Sequence, residues 1–156
     1  MDARIINGDV GRKNVVFGIG LFLLLGVAVG IPLTIDFFGG SVLAEEQYRI
    51  WKVIHGYGIF LGFINYFFGL SIDRLLLTRA QKEVSSWSFL LAGAFGGLGR
   101  MGLALFSALP TFGIYASLGE VVFITLGTLI FVFGQLRGRS GAVMVHQAVE
   151  RRRLVA

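Results

Sequence analysis

Two side chains that could do chemistry lie inside apolar stretches of this chain, a histidine and an arginine. His55 lies in a glycine-rich hydrophobic segment, whereas the second histidine, His146, lies in an arginine-rich tail. Ionisable groups at membrane depth are costly and are usually functional. A neutral imidazole there can ligate a metal or haem iron, or it can hydrogen-bond between helices. His55 is therefore the first candidate for a metal ligand.

Small residues follow His55 on the same helical face. Gly58 and Gly62 come three and seven residues later, so on a helix they leave a shelf without side chains beside the imidazole. A neighbouring helix could approach closely over this shelf, or a planar cofactor such as haem could lie on it. The spacing alone leaves both interpretations open.

Arg100 needs an anion, a water-filled cavity or a route to the interface, because its guanidinium stays charged at any depth. Glu120 opens the last apolar segment, and depth along the helices places both residues in the same half of the bilayer as His55 and Asp36. One interpretation is a structural ion pair of Arg100 with Glu120 or Asp36. The other is contact with the carboxylate of a bound ligand, such as a haem propionate.

The composition indicates what must position these residues. The chain is 55% hydrophobic and 15% charged, with a mean hydropathy of +0.78, values typical of an integral membrane protein. Its basic residues lie mostly at the ends of the apolar segments, which favours lipid headgroups over nucleic acid as their partner. The chain has no cysteine, which excludes disulfides, thiolate ligands and covalent c-type haem attachment.

Hydropathy predicts an all-α bundle of four membrane-spanning helices in a single domain of residues 1–156. The apolar segments do not alternate with polar residues, which excludes a β-barrel. The predicted spans are residues 15–38, 48–77, 87–109 and 118–136, followed by a basic tail, 137–156.

The distribution of charge predicts the orientation of the spans. Basic residues precede the first span, surround the second loop and follow the last span, whereas the first loop carries Glu45 and Glu46 and the third carries no charge. The positive-inside rule then places both termini in the cytoplasm. We expect the protein in the cytoplasmic membrane of a bacterium or archaeon.

Several motifs together resemble those of the styrene oxide isomerases, small four-helix membrane proteins that bind haem b and convert aryl epoxides into aldehydes. The shared elements are a Trp-x-x-x-His pattern at Trp51 and His55, Gly62 on the same predicted helix, and Leu-Phe-Ser at residues 105–107. They cover mainly the second and third spans, and each motif alone has low specificity.

The resemblance implies that His55 is the axial ligand of haem iron. In that family the haem lies between the subunits of a trimer, and its ferric iron acts as a Lewis acid on the epoxide oxygen. Where the family has an asparagine and a tyrosine around the substrate, this chain has Leu61 and Ala104. Asn65 and Tyr57 are the candidates to supply those catalytic contacts from a different angle.

The leading hypothesis is therefore a haem b-binding membrane protein, with isomerisation of a hydrophobic epoxide as its chemistry. In it His55 binds the iron, Gly58 and Gly62 face the macrocycle, and Arg100 binds a propionate. Glu120 is a further candidate residue of the cofactor site. We expect an oligomer, because four helices can hardly enclose a macrocycle; a trimer is implied by the resemblance alone.

Two alternatives remain from other classes of protein. One is a cofactor-free packing subunit of a larger membrane complex, in which the glycines serve helix contacts. The other is a small transporter or proton pathway through Asp36, His55, Arg100 and Glu120, which lacks a continuous polar route. A hydrophobic small molecule is a further candidate partner, because the phenylalanines near Phe60 could surround an aromatic ligand as well as pack against lipid.

Overall fold

The described residues of the chain form four long helices. The computed structural model describes residues 10–40, 43–106 and 110–155, with side chains described for 10–40, 43–102 and 113–138. Helix α1 is Val10–Gly39, α2 is Glu45–Ile72, α3 is residues 79–106 and α4 is Pro110–Val155. Within the described residues the chain forms helices and short turns and no strand. The prediction of an all-α protein is confirmed.

Three of these helices are long and apolar enough to cross a membrane. They are α1, α2 and the Gly113–Gly138 part of α4. Helix α3 does not meet the same criterion over its described residues, because it carries charges in its first turns and then Ser85, Ser86 and Ser88. These three serines are buried against the other helices. The lower hydropathy of α3 is thus explained by polar packing inside the bundle.

Glycines allow α1 and α2 to pack with their backbones in contact. A Cβ atom added at Gly18 would lie 2.6 Å from the carbonyl oxygen of Gly62, and one added at Gly69 would lie 2.6 Å from that of Gly11. No side chain larger than hydrogen fits at such separations, and this is the close approach that small residues permit between membrane helices.

Helices α1 and α3 each contain a wider, π-helical turn, at Phe22–Ala28 and Ala94–Leu98. Such turns shift the register of the side chains that follow them. The two turns face each other, since a Cβ atom added at Gly97 would lie 3.0 Å from Leu25. Leu25 is fully buried in the core cluster of Leu21, Val29, Ile54 and Leu61. The two π-helical turns therefore pack against each other at the core of the bundle.

A buried polar triad joins three helices. Asn14 of α1 donates through Nδ2 to Oδ1 of Asn65 on α2, at 3.0 Å, and to the carbonyl of Ser86 on α3, at 3.1 Å. The Ser86 hydroxyl in turn donates to Oδ1 of Asn14. All three side chains are completely shielded from solvent. Because each side chain has hydrogen-bond partners, the triad avoids the cost of burying polar groups in an apolar interior.

The described helices begin before the predicted spans, at Val10, Glu45, Arg79 and Pro110, and two of the C-terminal ends also differ. The second span was expected to run to Leu77, but α2 ends at Ile72, where Oδ2 of Asp73 accepts a hydrogen bond from the Gly11 backbone at the start of α1. Leu75 is buried beneath the turn, so the apolar residues that extended the predicted span cover the end of the bundle instead. At the other end of the chain, α4 continues past residue 136 to Val155, so the basic tail begins as helix.

Candidate functional site

His55 lies on α2 with its imidazole against α1. A Cβ atom added at Gly30 would lie 2.8 Å from Cε1 and 3.1 Å from Nδ1 of His55, so the ring rests directly on the Gly30 backbone. The imidazole is half-buried, and its Nδ1 atom is buried with no hydrogen-bond partner among the described residues. An unpaired buried polar atom costs about 1–3 kcal/mol on the scale of protein mutational data. This histidine is therefore not satisfied by the described part of its own chain.

Gly30 was not among the predicted site residues, although the His55 ring packs directly on its backbone. Its carbonyl accepts a hydrogen bond from Thr34 Oγ1 at 2.8 Å, which satisfies it without the imidazole. The sequence pattern around His55 identified only residues of α2. Gly30 could have been found by aligning α1 and α2 antiparallel, because it then lies at the same depth as His55. Gly30 thus joins His55 as part of the candidate site.

The glycine shelf beside His55 is covered by α1. A Cβ atom added at Gly58 would lie 2.1 Å from Cβ of Leu25, and one added at Gly62 would lie 3.0 Å from the carbonyl of Gly18. Of the two interpretations left open by the sequence, the structure shows close helix packing at both glycines. Within one chain neither glycine offers a surface on which a macrocycle could lie.

Arg100 and Glu120 form an ion pair between α3 and α4. Nη1 of Arg100 lies 2.5 Å from Oε2 of Glu120 and also donates to the Gly96 carbonyl at 2.8 Å. The guanidinium stacks over the Tyr57 ring of α2, with 3.6 Å between Cζ and the ring centroid. The two charged side chains are 15% and 9% exposed. The expectation of a structural ion pair with Glu120 is met, and its charges are balanced inside the bundle.

The structure brings Arg100, Glu120 and Tyr57 together but leaves His55 on a different side of α2. Tyr57 follows His55 by two residues, which corresponds to about 200° around an α-helix. The imidazole faces α1 while the phenol ring faces α3. Asp36 is used at the end of α1, where its Oδ1 accepts from the Leu43 backbone at 2.8 Å. The described residues therefore show no polar chain that links the four groups of the proton-pathway hypothesis.

Asn65 belongs to the buried triad rather than to an open site. Its Nδ2 donates to the Leu61 and Phe89 carbonyls, at 3.0 and 3.1 Å, while its Oδ1 accepts from Asn14. Both N–H groups of this amide are used, and the whole side chain is shielded from solvent. Leu61 is also fully buried, in the core. The side chain of Ala104 lies outside the described residues.

A bare metal ion has no obvious site in the described part of the chain, where no three histidine, cysteine, aspartate or glutamate residues come close enough to share one. A haem needs only one protein ligand, since the porphyrin supplies the other four nitrogens. The single unpaired imidazole of His55 fits that requirement, whereas Arg100 already has a carboxylate partner.

Comparisons with protein-family models, with curated proteins and with solved structures find no match for this chain. Its function must therefore be inferred from the residues themselves.

Proposed function

We propose that this chain is a membrane protein that binds haem b through His55. The observation that carries the proposal is the half-buried imidazole of His55 within an apolar helix, for which no hydrogen bond is found among the described residues. An ionisable side chain within an apolar helix is costly and usually functional, and coordination of iron would give this imidazole a partner. Because Nδ1 is buried against α1, Nε2 is the nitrogen left to meet iron.

The remaining contacts of the cofactor would come from outside the chain's own core. Helix α1 already covers Gly58 and Gly62, and Arg100 and Glu120 neutralise each other on another side of α2. A haem on His55 would therefore lie at the rim of the bundle, where a neighbouring copy could cover its other edge. This supports a homo-oligomer, a trimer by the resemblance, as the binding form.

Ferric haem held by His55 would supply a Lewis acid for an epoxide oxygen. The chain's own part is to hold the imidazole in one orientation, which the Gly30 contact does by limiting rotation of the ring. The proposal assigns Asn65 no catalytic part, and the Tyr57 ring face is occupied by Arg100.

Absorption spectra test the haem proposal. The protein is produced with added haem precursor and purified in detergent, and ferric and dithionite-reduced spectra are compared for wild type, His55→Ala and His146→Ala. We expect a Soret band in wild type and in His146→Ala, and its loss in His55→Ala. Free imidazole should restore the band in the cavity left by His55→Ala, which a merely misfolded variant would not allow.

A colourless wild-type protein that elutes as a single folded species would overturn the proposal. If haem is bound, the isomerase activity is tested by incubating the ferric protein with an aryl epoxide and measuring the aldehyde formed. A haem-loaded protein that forms no aldehyde would keep the cofactor and remove the epoxide chemistry.

A cofactor-free packing subunit is the second candidate function. It is favoured by one specific observation, the use of Gly58 and Gly62 in contacts within the chain rather than on an open face. This candidate takes precedence if wild type is colourless, and it predicts that His55→Ala remains folded while its assembly with partner proteins changes.

We also propose that the chain crosses the membrane four times with both termini on the cytoplasmic side, as the distribution of basic residues suggests. The chain has no cysteine, so each introduced thiol is unique. Ala44→Cys in the first loop and Ala80→Cys at the start of α3 are both exposed. In intact cells a membrane-impermeant maleimide should label Ala44→Cys only, and lysis should expose Ala80→Cys. The reverse pattern would refute this orientation, and equal labelling of both sites would refute a membrane crossing by α2.

A further inference from the structure

An apolar groove separates α2 from α4 on the surface of the bundle. Helix α4 packs along α3, and its backbone stays farther from α2. The two helices meet through side chains, with the Phe68 and Phe131 rings 5.5 Å apart, and a groove remains open above them. The groove has a volume of about 590 Å³. Phe60, Phe63, Phe67 and Phe68 line it from α2, Phe131 lines it from α4, and Phe89 of α3 lies between them. The aromatic patch noted in the sequence therefore lines this one groove.

The groove is long, runs along the helices and has an almost entirely apolar lining. It extends from Gly56 to Ser71 of α2, which is about 22 Å at the rise of an α-helix. Ser71 and Thr128 are the polar residues of its wall, and the Ser71 hydroxyl is already bound to the Phe67 carbonyl at 2.8 Å. An unbranched apolar chain suits such a wall, whereas a polar solute would find few partners.

A positive charge lies at one end of the groove. Through Gly56 and Phe60 the groove adjoins a smaller cavity of about 310 Å³ that Lys52 and Tyr57 also line. Lys52 is exposed, and no ion pair of Lys52 is found among the described residues. The residues one helical turn away from it are Tyr48, Arg49, His55 and Gly56, none of them acidic. The ammonium group is thus free to bind an anion at this end.

We propose that the groove holds one acyl chain of an anionic phospholipid whose headgroup phosphate is bound by Lys52. The length of the apolar groove suits an acyl chain, and the ammonium group of Lys52 at its end suits the headgroup phosphate. The groove and Lys52 together therefore recognise an anionic amphiphile. A zwitterionic lipid would satisfy the tail equally but gain less from Lys52. This lipid site does not use the His55 imidazole, which rests on Gly30 of α1 and does not line the groove.

Native mass spectrometry in detergent with added phosphatidylglycerol or phosphatidylcholine tests the proposal. Gly56→Leu obstructs the end of the groove next to Lys52, and Gly20→Leu is the matched control, because a Cβ atom at either glycine meets nothing within 4 Å. We expect wild type to retain phosphatidylglycerol about fivefold better than phosphatidylcholine, the effect of one lysine near a headgroup. Lys52→Gln should reduce this ratio to about one, while Gly56→Leu loses bound lipid of both kinds and Gly20→Leu behaves as wild type.

Equal retention of the two lipids by wild type would overturn the role of Lys52. Undiminished lipid binding by Gly56→Leu would overturn the groove as the site. A change in the number of subunits in Gly56→Leu, with no loss of lipid, would show that a second copy of the chain covers the groove instead, and this too would overturn the proposal.

Discussion

Replacing Gly58 with alanine should destabilise the folded protein by about 3 kcal/mol, at the upper end of the cost of overpacking. The added methyl group would lie 2.1 Å from Cβ of Leu25 and 3.1 Å from its backbone carbonyl carbon. Leu25 cannot rotate away, because the clash involves its Cβ and main chain rather than the far end of its side chain. Helix α1 would have to move as a whole, together with its contact to Gly97 of α3.

Gly56→Ala is the matched control for this change. It places the same methyl group two residues earlier on the same helix, where nothing lies within 4 Å. Alanine favours helix over glycine, so the control should be as stable as wild type or slightly more stable. The variants are heated in detergent, and the fraction of protein that still elutes as a folded species is measured. We expect a Tm lower by about 10 °C for Gly58→Ala and an unchanged or slightly higher Tm for Gly56→Ala. Equal Tm values for the two variants would contradict the packing of α1 on α2 described above.

Replacing Glu120 with alanine should cost about 3–5 kcal/mol, the usual penalty for removing one partner of a buried ion pair. Arg100 would keep its charge, its stacking on Tyr57 and its bond to the Gly96 carbonyl, but it would lose the carboxylate that neutralises it. The Arg100→Ala variant should be similarly unstable, because Glu120 would then be buried alone.

The double variant Arg100→Met and Glu120→Leu tests whether stability depends on the two charges themselves or only on each charge having its partner. Two apolar side chains of similar length remove both desolvation costs, so the double variant should be more stable than either single variant. The exposed pair of Arg49 and Glu45 provides the control, since its side chains are 77% and 84% exposed. Loss of that pair should cost about 1 kcal/mol at most. Single variants of Glu120 that denature like wild type would show that this pair contributes nothing to stability.

The sequence predicted the helices well because hydropathy acts over many residues. The apolar segments and the glycines between them indicated a helical membrane protein, and helices α1, α2 and α4 meet the length and hydropathy that crossing requires. The end of α2 was less predictable, because Leu75 continues the apolar run but lies in a turn fixed by the long-range bond of Asp73 to Gly11. Such a bond depends on tertiary structure and leaves no local pattern.

The candidate site shows what depth alone can and cannot predict. Depth along the helices correctly brought Arg100 to Glu120, since those two residues lie on neighbouring helices at one level. It could not tell that His55 faces α1 and Tyr57 faces α3, because that depends on the rotation of α2 about its axis. Asn65 was expected near a substrate, and only the packed structure shows its amide committed to Asn14, Leu61 and Phe89.

The triad of Asn14, Asn65 and Ser86 bears on how α1, α2 and α3 find their alignment. In a bilayer, apolar side chains gain little by leaving lipid for another helix, so helices with similar glycine spacings could slide past one another by a turn of about 5.4 Å at small cost. Each member of the triad comes from a different helix. A slip of α1 would break all three of its bonds, and a slip of α2 or α3 would break the bonds of that helix to Asn14. The triad therefore selects one axial alignment from several that apolar packing alone would tolerate.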